Sequence, residues 1–389
     1  MQSIGEDVFS VGVRDWDRRL FDELIPLPDG TTYNSYLVSG GEKTALIDAV
    51  DPPFAEELLG NIRETGVGKI DYVIANHAEQ DHSGGIVHVL DAYPDAKVVA
   101  NEKCQGMLME HLHVPKDRFI TVGDRDTLEL GGKTLEFISA PWVQWPDTML
   151  TYLGEDKILF PCDLFGSHLA TSSLFAQDEC KVYESAKRYY AEIMMPFRNQ
   201  IIKHLKRLED YDINIIASSH GPIYDNPGFI IDAYRDWVSD DVENEVVLPY
   251  VSMHGSVKDM AEYFIKALET RGVKVKPFNL TVTDIGELAM ALVDAATIVV
   301  GSPTVLGAAH PSAVYATYLA NALRPKTRHA SIIGSYGWGG RMPEQLKELA
   351  SNLNVEFIEP VVVKGHPGKE DYARLDALAE EIKRKHDKL

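Results

Sequence analysis

Apolar positions along this chain follow two patterns, and the change falls near residue 245. From Val8 to about Gly221, short β-rich runs alternate with turns. Runs at 32–38 and 43–48 flank Ser39-Gly40-Gly41-Glu42, a hairpin signature. Further strands are expected at 97–100, 134–138 and 157–160, with helical patterns at 53–65 and, as one long helix, at 182–208. Strands first hairpinned and then interleaved with helices predict a layered α/β sandwich with mixed sheets. Beyond Glu245, near-continuous apolar runs at 246–251, 296–301 and 330–334 each lead through a small-residue loop into a helical pattern, and 355–358 leads into one more strand region. This is the pattern of a doubly wound parallel sheet. The acidic stretch 239–245 is the natural boundary, so two domains are expected at 1–245 and 246–389.

Composition narrows the class. The chain has 389 residues, 45% of them hydrophobic, as in soluble globular proteins. A net charge of −21 argues against broad binding to nucleic acid or anionic membrane. Cys104, Cys162 and Cys180 are too few and too scattered for a disulfide framework or an iron–sulfur cluster, which fits a reducing, cytoplasmic setting. No secretory leader and no membrane span are expected.

The chemistry concentrates in Asn76-His77-Ala78-Glu79-Gln80-Asp81-His82-Ser83-Gly84-Gly85, directly after the strand-like Tyr72-Val73-Ile74-Ala75. Charged groups at a buried strand end must be paired or bound to a cation, since leaving one bare costs several kcal/mol. His77, Glu79 and Asp81 alternate and can converge from a tight loop, with His82 beside them. Imidazoles mixed with carboxylates suit iron, manganese or zinc better than calcium. A solvated polar loop is the competing reading. Three later positions have the same strand-end context: Asp163 after Ile158-Leu159-Phe160-Pro161-Cys162, His220 after Ile215-Ile216-Ala217-Ser218-Ser219, and Gln144 within Ala140-Pro141-Trp142-Val143-Gln144-Trp145-Pro146-Asp147.

In the C-terminal half, Ser252-Met253-His254-Gly255-Ser256-Val257 joins a strand to a helix and offers backbone N–H groups and hydroxyls to a phosphate. It is neither a Rossmann fingerprint nor a Walker loop. Two more strand-end loops, Pro303-Thr304-Val305-Leu306-Gly307 and Ser335-Tyr336-Gly337-Trp338-Gly339, match a flavodoxin-like FMN site, and Trp338 reads either as a ring-stacking or edge-covering residue or as a surface aromatic in a Gly-rich turn.

His-x-Glu-x-Asp-His-Ser-Gly-Gly from His77, Trp145-Pro146-Asp147-Thr148-Met149, Phe160-Pro161-Cys162-Asp163-Leu164-Phe165-Gly166 and Ser218-Ser219-His220-Gly221-Pro222-Ile223 resemble the flavodiiron proteins, also called A-type flavoproteins. The resemblance covers essentially the whole length, including Gly30-Thr31-Thr32-Tyr33-Asn34-Ser35-Tyr36. It implies a metallo-β-lactamase-like αββα sandwich followed by a flavodoxin-like doubly wound domain. Zinc hydrolases of that superfamily carry histidine where this chain has Glu79, and the carboxylate favours a redox-active ion.

The resemblance assigns His77 and Glu79 to one iron, Asp81 and His220 to the other, and Asp163 as their bridge, with His82 a ligand in some family members only. It expects a histidine at 144, where this chain has Gln144, so the first iron site is expected to be weakened or only partly occupied. The cofactors implied are FMN and two non-haem irons, and the reaction is reduction of O2 to water or of NO to N2O. Electrons would come from a rubredoxin-like protein or reduced coenzyme F420, in a head-to-tail homodimer or a dimer of dimers. Tyr190, Phe197 and Trp142 read either as pocket-lining residues or, more often for such aromatics, as ordinary packing. A basic cluster at Lys181, Lys187, Arg188, Arg198, Lys203, Lys206 and Arg207 reads either as a docking face for an acidic redox partner or as a solvated helix face. A zinc hydrolase with an appended flavodoxin module, and a flavin electron carrier with an impaired metal site, are the alternatives.

Overall fold

Alternation along the N-terminal strands feeds two separate cores. In the computed structural model, which describes residues 2–389, a mixed seven-stranded sheet runs in the order Gln2–Gly5, Val8–Ser10, Tyr36–Ser39, Thr44–Ile47, Tyr72–Ile74, Lys97–Ala100, Phe119–Thr121. Leu37, Leu46, Val73 and Val98 point to one face, where Leu58, Ile62, Val89 and Leu108 from three helices cover them. Val38, Ala45, Ile47, Ile74 and Val99 point to the other, against Phe137, Met149, Leu153, Ile158 and Phe160 of a second sheet. That sheet orders Thr127–Glu129, Thr134–Ser139, Met149–Leu153, Ile158–Phe160 and Ile215–Ile216. With both faces of the larger sheet buried, its strands read as continuous apolar runs.

In the C-terminal sheet the order is Lys274–Asn279, Glu243–Tyr250, Ala295–Val305, His329–Tyr336, with Glu356–Phe357 and Val361–Lys364 both pairing with the last of these. These pairings are parallel, and the order reverses beside Glu243–Tyr250, which puts a ligand crevice at the carboxyl ends there. Val246, Leu248, Val299 and Ile333 pack against Ser256–Glu269 and Lys369–His386. Val247, Ile298, Val300 and Ile332 pack against Ile285–Leu292, Pro311–Leu323 and Met342–Leu349.

The chain divides into two compact units. One takes the chain to Tyr190 together with Phe197–Val238; the other takes Ala191–Pro196 and Ser239–Leu389. The second unit thus begins ahead of residue 246, and the acidic stretch is already strand from Glu243. No helix among the described residues is long and apolar enough to cross a membrane.

Several elements depart from the sequence pattern, each for a local reason. The long helix expected at 182–208 is broken into Glu179–Tyr189, a π turn at Tyr190–Met194, a 3-10 turn at Met195–Phe197 and Arg198–Leu208. Pro196 lacks an N–H and disfavours a helical residue before it. The run at 32–38 is two strands, Thr31–Tyr33 and Tyr36–Ser39, because Asn34 and Ser35 bond elsewhere. Asn34 Nδ2 donates to the carbonyls of Ser218 and Gly221, and the Ser35 hydroxyl to that of Asp48. Lys274–Asn279 was unexpected; its charges and Pro277 break the apolar pattern, as suits an edge strand.

The last helix is fixed through a buried imidazole. His386 Nδ1 donates to Asn244 Oδ1 at 2.8 Å, so Nε2 accepts the Thr297 hydroxyl at 2.7 Å. Burial, then nearby His329, push its pKa down to about 4, below the value near 6.5 of an unfolded chain. Between those values the unfolded chain binds a proton that the folded one refuses, so stability falls as pH drops from about 6.5 toward 4. Urea melts of the C-terminal transition at pH 7 and pH 5 are expected to show this loss, and His386→Gln to flatten it.

Candidate functional site

Each chemically marked residue of the N-terminal unit sits just past the end of a strand. His77 and Glu79 follow Tyr72–Ile74, Asp163 follows Ile158–Phe160, His220 follows Ile215–Ile216, and Gln144 and Asp147 lie on the loop between Thr134–Ser139 and Met149–Leu153. The first loop is held from beneath by buried Asp48, whose carboxylate accepts from Asn76 N at 2.8 Å and Asn76 Nδ2 at 2.9 Å. The short helix Gln80–Ser83 then turns Asp81 and His82 inward. Cys162, at φ 54, takes the left-handed conformation just before Asp163, a turn rare outside glycine and asparagine.

Structure brings His77, Glu79, Asp81, His82, Asp163 and His220 to one place. His82 Nε2 lies 3.1 Å from Asp163 Oδ1 and 3.3 Å from Asp81 Oδ1. His220 Nε2 lies 3.1 Å from Asp81 Oδ2 and 3.5 Å from Asp163 Oδ1. His77 Nε2 lies 3.2 Å from Glu79 Oε2 and 3.9 Å from Asp163 Oδ2. Ligand atoms group as His77, Glu79 and Asp163 on one side and Asp81, His82 and His220 on the other. Both oxygens of Asp81, Asp163 Oδ2 and His82 Nε2 are buried without a hydrogen bond. Donor atoms this close yet not aligned as donor and acceptor are what a shared cation requires, and the mixed nitrogen and oxygen set fits iron or manganese.

Without a cation, protons balance the charge. Burial would lower the His77 imidazole, but Asp147 and Glu79 outweigh it and push its pKa up to about 10. His82 is likewise raised, against burial, by Asp163 and Asp81. Burial opposes ionisation of Asp163, yet His82 and His220 hold its carboxyl well below the usual range.

Four supporting residues escaped the sequence reading. Asp147, wholly buried, accepts from Ala78 N at 2.8 Å and lies 3.1 Å from His77 Nδ1, so it sets the orientation of that ring. The Thr32 carbonyl accepts from His220 Nδ1 at 2.6 Å. Tyr189, not Tyr190, meets the site: its hydroxyl donates to Asp163 Oδ1 at 2.8 Å, while Tyr190 stacks on Trp237 at 5.4 Å. Consecutive positions on a helix point about 100° apart, so the two tyrosines face different neighbours. Trp145, not Trp142, borders the site, edge-on to His77 at 4.9 Å; Trp142 is 48% exposed. Cys162 Sγ also lies within 4.8 Å of His82 and Asp163 ligand atoms, but burial keeps the thiol protonated. A cavity of about 380 Å³ reaches Glu79 and Asp81 from outside, walled by Phe21, Tyr33 and Trp145.

Within the C-terminal unit, Ser256–Glu269 opens after Gly255, at φ 91, which has no side chain of its own to cap the helix. Lys258 N bonds Ser252 Oγ at 3.1 Å, and Ser256 Oγ meets Ser335 Oγ at 2.8 Å, which joins the first and third candidate loops. Val257 is buried and offers the crevice its main chain only. The second loop is shorter than expected: Ala295–Val305 runs on as strand and turns back at Leu306-Gly307, with φ 52 and 80, to pair with Ala308–Ala309. Two positive φ angles make a tight hairpin of primed type. Leu306 and Trp338 are 96% and 90% exposed, and Met253 and His254 are exposed on the first loop. Open helical N–H groups, hydroxyls and flat apolar cover together suit a flavin phosphate and ring.

Comparison with known proteins agrees with both halves. Residues 31–221 match the ODP family beta lactamase, and residues 248–375 match flavodoxin. A nitric oxide reductase of Moorella thermoacetica is 36% identical over 98% of this chain and 97% of its own. A coenzyme F420H2 oxidase of Methanothermobacter marburgensis is 34% identical over 91% and 90%. Among solved structures, rubredoxin oxygen:oxidoreductase of Desulfovibrio gigas superposes with a TM-score of 0.95 at 29% identity, covering 99% of this chain and 98% of that one. The flavodiiron protein of Giardia intestinalis gives 0.90 at 29% identity, over 98% and 95%.

Proposed function

This chain belongs to the flavodiiron proteins, and on that premise we propose that it reduces O2 to water, NO to N2O, or both, with FMN and a non-haem diiron site. The observation that carries the reading is the buried, unpartnered set of Asp81, His82 and Asp163 atoms beside Glu79, where a zinc hydrolase has an imidazole. In this reading His77 and Glu79 would hold one iron, Asp81, His82 and His220 the other, and Asp163 would serve both. Residues 252–257 would hold the phosphate of FMN, and Pro303, Thr304, Val305, Leu306 and Gly307 with Ser335, Tyr336, Gly337, Trp338 and Gly339 would take the ring.

Bound there, flavin and irons supply the electrons and the place where a diatomic is held. The chain's residues orient and enclose. Asp147 and the Thr32 carbonyl fix the two imidazole rings through their outer nitrogens. Tyr189, its phenol kept protonated by burial and by Asp163, holds that carboxylate in place. Phe21 and Trp145 narrow the approach to small molecules. Anaerobic stopped flow of the reduced protein against O2 and NO, with iron and FMN quantified on the same sample, tests the reading. Zinc in the purified protein with no consumption of either gas would overturn it in favour of hydrolysis.

Asp147→Asn keeps the bond from Ala78 N but removes the charge behind His77. Losing such a support costs about 10–100-fold in metal affinity or activity. Iron content after dialysis and O2 consumption are expected to fall together by that factor.

The protein is read as cytoplasmic and as a homodimer in which FMN of one chain serves the irons of the other, a reading supported by the exposed Leu306 and Trp338. Its donor is a rubredoxin-like protein or reduced coenzyme F420, as the names of its relatives suggest. The basic cluster favours the solvated-face reading over docking. Lys181 pairs with Asp29 at 2.6 Å, Arg207 with Asp124 at 2.6 Å, and Arg198 donates to the Val238 carbonyl at 2.7 Å.

A further inference from the structure

The Gln144 side chain meets a carboxylate of the metal cluster directly. Its Nε2 donates to Glu79 Oε2 at 2.6 Å, the same oxygen that lies 3.2 Å from His77 Nε2. We infer that Gln144 acts as a hydrogen-bond donor to Glu79 and not as a metal ligand, so the two metal positions are unequal and fill in order. The inference rests on the diiron reading and deepens it.

The inequality follows from the donor sets. One position draws on His77, Glu79 and Asp163, a single imidazole with two carboxylates; the other draws on Asp81, His82 and His220 with the shared Asp163. An amide N–H bonded to a carboxylate withdraws charge from the oxygen that accepts it. Glu79 is therefore a weaker donor toward a cation than a carboxylate with free lone pairs. Asp147 behind His77 strengthens the lone imidazole on that side, which keeps the position usable. Loss of a support beyond the ligands already costs about 10–100-fold in affinity, so lacking one imidazole ligand costs at least as much. The His77 and Glu79 position is thus the labile one.

Metal-depleted, FMN-loaded protein titrated anaerobically with Fe(II), and separately with Co(II), tests this. Two steps are expected, one equivalent tight and the second at least about 10-fold weaker. Dialysis against a chelator should leave one metal per chain. Asp81→Ala should abolish the tight step and His77→Ala the weak one. Gln144→His should bring the second step to within about threefold of the first, so that two metals survive dialysis. Gln144→Leu removes the amide without adding a ligand and should move the weak step by less than about threefold; a further tenfold loss would mean that the amide itself ligates, and would overturn the inference. Two equal, dialysis-resistant equivalents in the unaltered protein would also overturn it while leaving the diiron reading intact. Absence of any metal step would overturn both.

Discussion

Replacing Asp163 with alanine is expected to empty both metal positions at once and to lower O2 or NO consumption by at least about 100-fold. Asp163 is the residue the ligand groups share. Its oxygens lie 3.1 Å from His82, 3.5 Å from His220 and 3.9 Å from His77. It groups with His77 and Glu79 on one side and with His82 on the other. The fold should survive, because the change relieves a buried crowd of carboxylates: Glu79, Asp81, Asp147 and Asp163 lie together and, without metal, depend on raised imidazoles for balance. Asp163→Asn keeps an oxygen for the Tyr189 hydroxyl and separates loss of ligation from loss of that contact. Iron per chain, FMN per chain and gas consumption, measured on one preparation, decide the matter. Near-normal iron with unchanged FMN would show that Asp163 is dispensable and that the positions are held independently.

The residues now gathered around Asp163 were legible in the sequence for a physical reason. Polar and charged groups directly after short apolar strands must end where several strands end together, so His77, Glu79, Asp81, Asp163 and His220 announced a shared site before any distance was known. Both sheet types were legible in the same way, since strands buried on two faces cannot hide their apolar character. What escaped depends on backbone detail. Choosing Tyr189 over Tyr190 requires the rotational phase of Glu179–Tyr189, which an apolar pattern drawn as one helix over 182–208 does not fix. Nothing near Asp147 in the sequence marks its role, because its partner, His77, is 70 residues away. The Leu306-Gly307 turn was hidden because leucine rarely takes positive φ, so nothing in Val305-Leu306 marked a hairpin. Gln144 was read as a feeble ligand, whereas its amide faces Glu79 as a donor.

A carboxylate placed at the start of Ser256–Glu269 should have the second large effect, and on the flavin alone. Ser256→Glu is expected to weaken FMN binding by about 100-fold, the scale of losing a charge-assisted contact and adding repulsion. Loss of folding does not confuse the outcome, because an acidic residue in the first turn favours the helix itself. Removing the Ser256 hydroxyl also takes away the hydrogen-bond partner of buried Ser335, 2.8 Å away. Riboflavin supplies the control that makes the result specific. It carries the ring without the phosphate, so its affinity should be similar in both proteins, and the preference for FMN over riboflavin should collapse. Fluorescence titration of flavin-free protein with each compound measures both values, and iron content of the same variant should stay unchanged because the metal ligands all lie in the other unit. Equal loss of FMN and riboflavin would mean that the substitution disturbs the ring pocket and that the phosphate is held elsewhere. Retained FMN preference would remove the helix N-terminus from the flavin site altogether.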